Sequence, residues 1–226
     1  MYSCTHHCIT GASISYFKCD ITSPTEVQEV AGSIRSSLGV PTILCNNAGI
    51  ASAHTILDTS PEYLRKVFDV NLLSHFYLIQ AFLPAMIEKK KGHIVSTASM
   101  ASFLGVAGLV DYCATKAGVL ALHEGLGQEL KHRYNAPQIK TSIVHPIYVN
   151  TKLISSYRDS LRTAKATLIE PETVANAIVA QIVSGRSGQI MLPASMGPAA
   201  GARGWPDWMQ ELLRDGTSKD VEDRAA

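Results

Sequence analysis

The apolar positions fall into two rhythms that alternate along the chain, and the alternation predicts the order of elements. Val27, Val30, Ile34 and Leu38 recur at helical spacing behind Ser23-Pro24-Thr25-Glu26. Ser23 suits an N-cap, Pro24 the first helical position, and Glu26 would complete a capping box; Gly39 stops the run. Residues 42–45 are a short apolar run with turn residues after it, predicted to be a buried strand. Ser60-Pro61 opens a second helix expected to reach about Lys90, with Pro84 expected to kink or break it. Residues 93–97 predict a strand, 111–133 a long helix, and 139–145 another strand. Pro171 opens a helix carrying Val174, Ile178, Ile182 and Val183 and ending near Gly185, and residues 189–192 predict a last short strand. Strands alternating with helices imply right-handed crossovers and a doubly wound parallel sheet of α/β class. Ligands then bind at the carboxyl ends of the strands. The loops of interest are 46–49, 98–99 and 146–151.

Composition narrows the picture. The 226 residues are 46% hydrophobic and 17% charged, which fits a single domain over 1–226. Within it, residues 1–15 are expected to be an irregular remnant and about 200–226 a C-terminal extension. The net charge of +1 supplies no electrostatic footprint for nucleic acid. No uninterrupted apolar run reaches the ~18 residues of a membrane span, and no signal-peptide pattern opens the chain. Five cysteines without a CxxC pair fit a reducing, cytoplasmic setting. Cys4, His6, His7 and Cys8 have no second ligand pair at finger-like spacing, so no metal site is expected. Lys89, Lys90 and Lys91 suit a solvated helix end. Trp205, Trp208, Met209, Leu212 and Leu213 form an apolar face that either docks on the domain or contacts a lipid surface peripherally.

Tyr112 and Lys116 stand four apart on the 111–133 helix, on one face. A phenol with an ordinary pKa near 10 is a poor acid/base catalyst at neutral pH; a nearby ammonium favours the phenolate and lowers that pKa. Ser99, just past the 93–97 strand, can donate to a substrate oxygen. Asn71 lies inside the helix opened by Pro61, where asparagine is a middling helix former. Asn46-Asn47-Ala48-Gly49 reads as a tight turn.

Together the runs LCNNAGI, VNLLSHF, GHIVSTASMAS and YCATKAGV resemble, in order and spacing, the short-chain dehydrogenase/reductase family. YFKCDIT, PTILCNNAGI and GQIMLP resemble its retinol and 17-beta-hydroxysteroid dehydrogenase branch. The resemblance implies a Rossmann-like sheet and an NAD(P)-dependent oxidoreductase that interconverts an alcohol and a carbonyl on a small lipophilic substrate. It implies Tyr112 as general acid/base, Lys116 lowering its pKa and bonding the nicotinamide ribose, Ser99 holding the substrate oxygen, and Asn71 supporting a relay water. It implies Asn47, Ala48 and Gly49 along the cofactor, Asp20 and Ile21 at the adenine, and Pro146, Val149 and Thr151 beside the nicotinamide. The cofactor is NAD or NADP, with NADP favoured. A homo-oligomer is implied, formed through the helices around Asn71 and Tyr112.

Two departures stand against the family pattern. Ile147 replaces the usual glycine. Only 19 residues precede Asp20, where a strand, a glycine-rich phosphate turn, a helix and a second strand need about 50. Thr10-Gly11-Ala12-Ser13 resembles only the start of that turn. The expectation is an N-terminally truncated sheet with an exposed edge. The alternative to an active enzyme is a catalytically impaired relative or truncated isoform that binds dinucleotide poorly and acts as an interaction module.

Overall fold

In the computed structural model, residues 7–9, 12–155 and 157–220 are described. Cys4, His6 and the Thr10-Gly11 half of the glycine turn lie outside them. The chain enters through a two-stranded antiparallel pair, β1 (His7–Ile9) with β2 (Ala12–Ile14), separate from the main sheet. Helix α1 (Pro24–Leu38) follows. Ser23 caps it, its hydroxyl accepting from the Glu26 N–H at 3.3 Å. The Ser23 N–H goes to the Asp20 carbonyl at 3.1 Å, so Asp20 takes the donor that a full capping box would give to Glu26. Gly39 closes the helix at φ 86°, a left-handed setting that glycine adopts without strain.

Strand β3 (Ile43–Asn46) leads to a continuous helical run from Pro61 to Glu88. It consists of α2 (Pro61–Phe68), a five-residue π segment (Asp69–Leu73) and α3 (Ser74–Glu88). The helix does not break at Pro84: α3 passes through that proline, and an irregular turn sits at Asn71. Within the 28-residue run an 18-residue window has a mean hydropathy of 1.4, apolar enough by composition to cross a bilayer, which counting uninterrupted apolar residues did not reveal. Its apolar positions serve the core: Ile79, Ala81, Phe82, Leu83 and Met86 are buried against residues of α1 and of the next helix.

Strand β4 (His93–Thr97), α4 (Val110–His132), β5 (Lys140–Pro146), β6 (Tyr148–Val149), α5 (Arg158–Thr163), β7 (Leu168–Ile169), α6 (Pro171–Ser184), β8 (Gly188–Leu192) and α7 (Asp207–Asp220) complete the order. Four strands form one parallel sheet in the order β3-β4-β5-β8, and β6 pairs with β7 beside it. Successive residues of a strand face opposite sides. Leu44 and Ile94 pack in the core with α1, α3 and α4, while Cys45 and Val95 face a cavity that α6 lines from the other side. Helices therefore cover both faces, the doubly wound arrangement that the alternation of elements predicts.

The C-terminal apolar face divides. Trp205 and Leu213 pack on Met100, Phe103 and Leu104, whereas Trp208 and Leu212 stay exposed.

Candidate active site

The strand-end loops and the first turns of α4 enclose a cavity of about 890 Å³ at the carboxyl end of the sheet. Ser99, Tyr112 and Lys116 line it, as do Asn47, Ala48, Gly49, Pro146, Val149 and Thr151. Its remaining walls are mostly apolar, with Leu104, Val106, Leu109 and Ile154 on one side and Val174, Ile178 and Ile182 of α6 on the other. Among the described residues that line it, Lys116 is the single charged group.

Ser99 caps a short 3₁₀ turn (Met100–Ser102). Its hydroxyl accepts from the Ala101 N–H at 3.1 Å and donates to the Pro146 carbonyl at 3.3 Å. Tyr112 lies one turn into α4, and Lys116 one turn further along the same face, so the ammonium stands 5.6 Å from the phenol ring centroid. The ammonium donates to the Thr97 carbonyl at 2.8 Å. Burial brings Lys116 down to about 8 and pushes Tyr112 up to about 12, with a Ser99 hydrogen bond acting against the rise. The sequence-based expectation that Lys116 depresses the Tyr112 pKa is not what this geometry gives. Desolvation dominates both groups, and the ammonium is directed at the end of β4.

Asn71 is fully buried and does not line the cavity. Its amide donates to the Ile50 carbonyl and accepts from the Ile50 N–H, both at 2.8 Å, and donates to Thr115 Oγ1 at 3.2 Å. It thereby ties the turn after β3 to α4. Gly49 sits in the resulting corner, where a Cβ would lie 3.5 Å from Asn71 Oδ1 and 3.7 Å from Lys116 Nζ. Thr115 and the Thr97 carbonyl are the partners that motif reading missed. Thr115 lies within the Tyr112–Lys116 spacing, but a carbonyl carries no side-chain signal.

Asp20 and Ile21 do not line this cavity. The Asp20 carboxylate is engaged locally, accepting from the Thr22 N–H at 2.9 Å and from Thr22 Oγ1 at 2.7 Å. Ile147 has no left-handed backbone, its N–H donates to Leu192 O at 2.8 Å, and its side chain joins the Met100–Phe103 cluster. Where the family usually has a glycine, Ile147 both packs on this cluster and lines the cavity beside Pro146.

A model of the short chain dehydrogenase family matches residues 3–162. The chain belongs to the short-chain dehydrogenase family. Within this family it is 47% identical over 136 residues to Dehydrogenase RED2 of Cochliobolus heterostrophus, covering 60% of this chain and 51% of that one. It is 32% identical over 186 residues to Estradiol 17-beta-dehydrogenase 11 of Pongo abelii, covering 82% of this chain and 60% of that one. It thus spans between half and three fifths of the length of these curated relatives. A solved short-chain type dehydrogenase/reductase from Mycobacterium marinum superposes with a TM-score of 0.69 at 27% identity, covering 77% of this chain and 72% of that one.

Proposed function

We propose that this chain is an NAD(P)-dependent oxidoreductase that interconverts a lipophilic alcohol and its carbonyl. The observation carrying this reading is the placement of Ser99, Tyr112 and Lys116 on one wall of an otherwise apolar cavity. The nicotinamide end of a dinucleotide fits the residues present. Gly49 leaves free the corner beside Asn71 and Lys116 that a side chain would occupy, and Pro146, Val149 and Thr151 stand opposite. When bound, the cofactor supplies or accepts the hydride. Tyr112 exchanges a proton with the substrate oxygen at its phenol Oη, and Ser99 Oγ donates to that same oxygen as charge develops on it. Lys116 holds the nicotinamide ribose. Asn71 holds the 47–50 turn in place from behind. The apolar walls exclude water and select a lipophilic substrate; the steroid named for one relative belongs to that class.

In the assay, Tyr112→Phe abolishes NADPH- or NADH-dependent turnover while the fold and dinucleotide binding persist. Full activity in that variant overturns the mechanism.

A second reading is favoured by the same geometry. Lys116 turned to Thr97, Tyr112 raised to about 12 and a lining with one cation describe an impaired, weakly dinucleotide-binding relative. Fluorescence titration with NADH and NADPH separates the two: saturable binding eliminates the impaired relative, and no binding by the folded chain eliminates the enzyme. With the enzyme reading we also place a homo-oligomer through the helices around Asn71 and Tyr112, where Leu73 of the π segment, Phe76 of α3 and Val110 of α4 are exposed, and a cytoplasmic protein touching lipid at Trp208 and Leu212.

A further inference from the structure

His145 is completely buried near the end of β5 and has no part in the mechanism above. Its Nδ1 stands 3.1 Å from the backbone oxygen of Ser99. A carbonyl only accepts, so Nδ1 carries the proton and the ring donates. The same oxygen accepts from the Ser102 N–H at 2.9 Å, which uses both lone pairs of the Ser99 carbonyl. The residue after His145 grips the other end of Ser99, because the Pro146 carbonyl accepts from the Ser99 hydroxyl at 3.3 Å. The imidazole is braced by the Phe103 ring, with centroids 4.7 Å apart and planes at 44°. Phe103 ends the 3₁₀ turn that Ser99 caps.

We propose that His145 is the positioning residue for Ser99, its ring fixing the carbonyl while the next residue's carbonyl fixes the hydroxyl. The proposal rests on the functional reading above. The strands β4 and β5 are joined through their ladder up to Thr97 and Val144. One more backbone bond follows, from the Ala98 N–H to the Val144 carbonyl at 2.9 Å, and at Ser99 the His145 ring adds a side-chain link. Without it, the Ser99 carbonyl would keep only the Ser102 N–H of the 3₁₀ turn, and the hydroxyl would be held by the Pro146 carbonyl alone. The charged and titratable groups that face the imidazole are Lys116 and His123, both on α4. With burial as the larger cause, the Lys116 charge keeps the ring in the neutral form that a single-donor link requires.

Two measurements test this. The first is ¹⁵N-edited NMR of the histidine rings in the full chain. The expected result is a neutral His145 protonated on Nδ1 and unchanged from pH 8 to 5. A ring protonated on Nε2, or one that titrates near 6.5, overturns the proposal whatever the chain's activity. The second compares His145→Phe with His145→Asn in the presence of cofactor. An Asn amide nitrogen sits where Nδ1 was and keeps the donor, whereas Phe fills the space without one. Loss of the buried hydrogen bond in His145→Phe lowers kcat about tenfold with cofactor KM within about twofold, and His145→Asn recovers to within about threefold of wild type. Equal kcat in all three proteins, or equal loss in both folded variants, overturns it. Activity surviving in Tyr112→Phe would instead remove the functional reading and leave the NMR result standing.

Discussion

Asn71 and Ile50 exchange two hydrogen bonds of 2.8 Å, one in each direction, so that a single side-chain amide substitutes for a strand partner. The π segment brings this about by presenting Asn71 toward both the Ile50 turn and Thr115. Asn71→Ala leaves the Ile50 N–H and C=O without these partners and costs about 2 kcal/mol. Urea unfolding measures that loss. Hydrogen exchange at the Ile50 amide separates it from a general loosening, because that amide accelerates more than the β4 amides.

Gly118 lies where α4 crosses the π segment. A Cβ there would stand 2.8 Å from Leu72 Cδ2 and 3.1 Å from its Cδ1. Gly118→Ala forces the Leu72 methyls aside. This cost cancels much of the about 1 kcal/mol that alanine otherwise gains over glycine in a helix interior, so the variant is stabilised by well under that amount. Adding Leu72→Val, which shortens the opposing side chain, recovers part of that cost in the thermal midpoint. A fully additive double variant would show that the two residues do not meet.

Lys116 is held near 8, below its ordinary 10.5, so the unfolded chain binds the proton more tightly than the folded one. Stability from this group therefore rises with pH from about 8 toward 10.5. Tyr112, raised to about 12 from 10, acts oppositely: the folded chain retains its proton longer, and stability falls as pH climbs above 10. The denaturation midpoint should climb between pH 8 and 10 and turn down above 10. Lys116→Met removes the climb and stabilises the fold at pH 7.

Histidines withdrawn from solvent weaken the fold on the acid side, His75 buried and His123 half-buried among them. Burial, aided by the Lys116 charge, brings His75 down to about 3, and burial with His145 beside it brings His123 to about 4. Below their ordinary 6.5 the unfolded chain takes up protons that the folded chain refuses, so stability falls as pH drops. Each histidine contributes up to about 2 kcal/mol of loss between pH 6.5 and 5. His75→Leu and His123→Leu each flatten the acid limb of the unfolding midpoint, and an unchanged limb in both would refute the assignment.

Much of the fold was legible because local chemistry and global packing agree. Ser23, Ser60 and Pro171 start helices where their chemistry predicts, and β4 occupies residues 93–97 as its apolar run requires. The π segment was not legible, since nothing in Asp-Val-Asn-Leu-Leu forbids an ordinary turn. It forms because Asn71 finds Ile50 and Thr115, contacts 21 and 44 residues away in sequence. Pro84 misled for the opposite reason, because its local penalty is absorbed by a helix packed on the core. In the site, the resemblance pointed to Ser99, Tyr112, Lys116 and the 47–49 turn, which line the cavity, but also to Asn71, Asp20 and Ile21, which do not. The direction of the Lys116 ammonium and the role of His145 were not, because each depends on a backbone carbonyl delivered by another strand.

Strand β3 is hydrogen-bonded along one side only among the described residues, to β4. Its four residues carry no charge and no proline, and Ile43 and Cys45 are both exposed. Natural sheets protect such a margin with lysine, proline or a covering element. The expected consequence at high concentration is adhesion of copies along this margin through backbone hydrogen bonds, without unfolding of the core. Light scattering of Ile43→Lys at high concentration, falling relative to wild type at unchanged stability, would locate the origin of that self-association in a single strand.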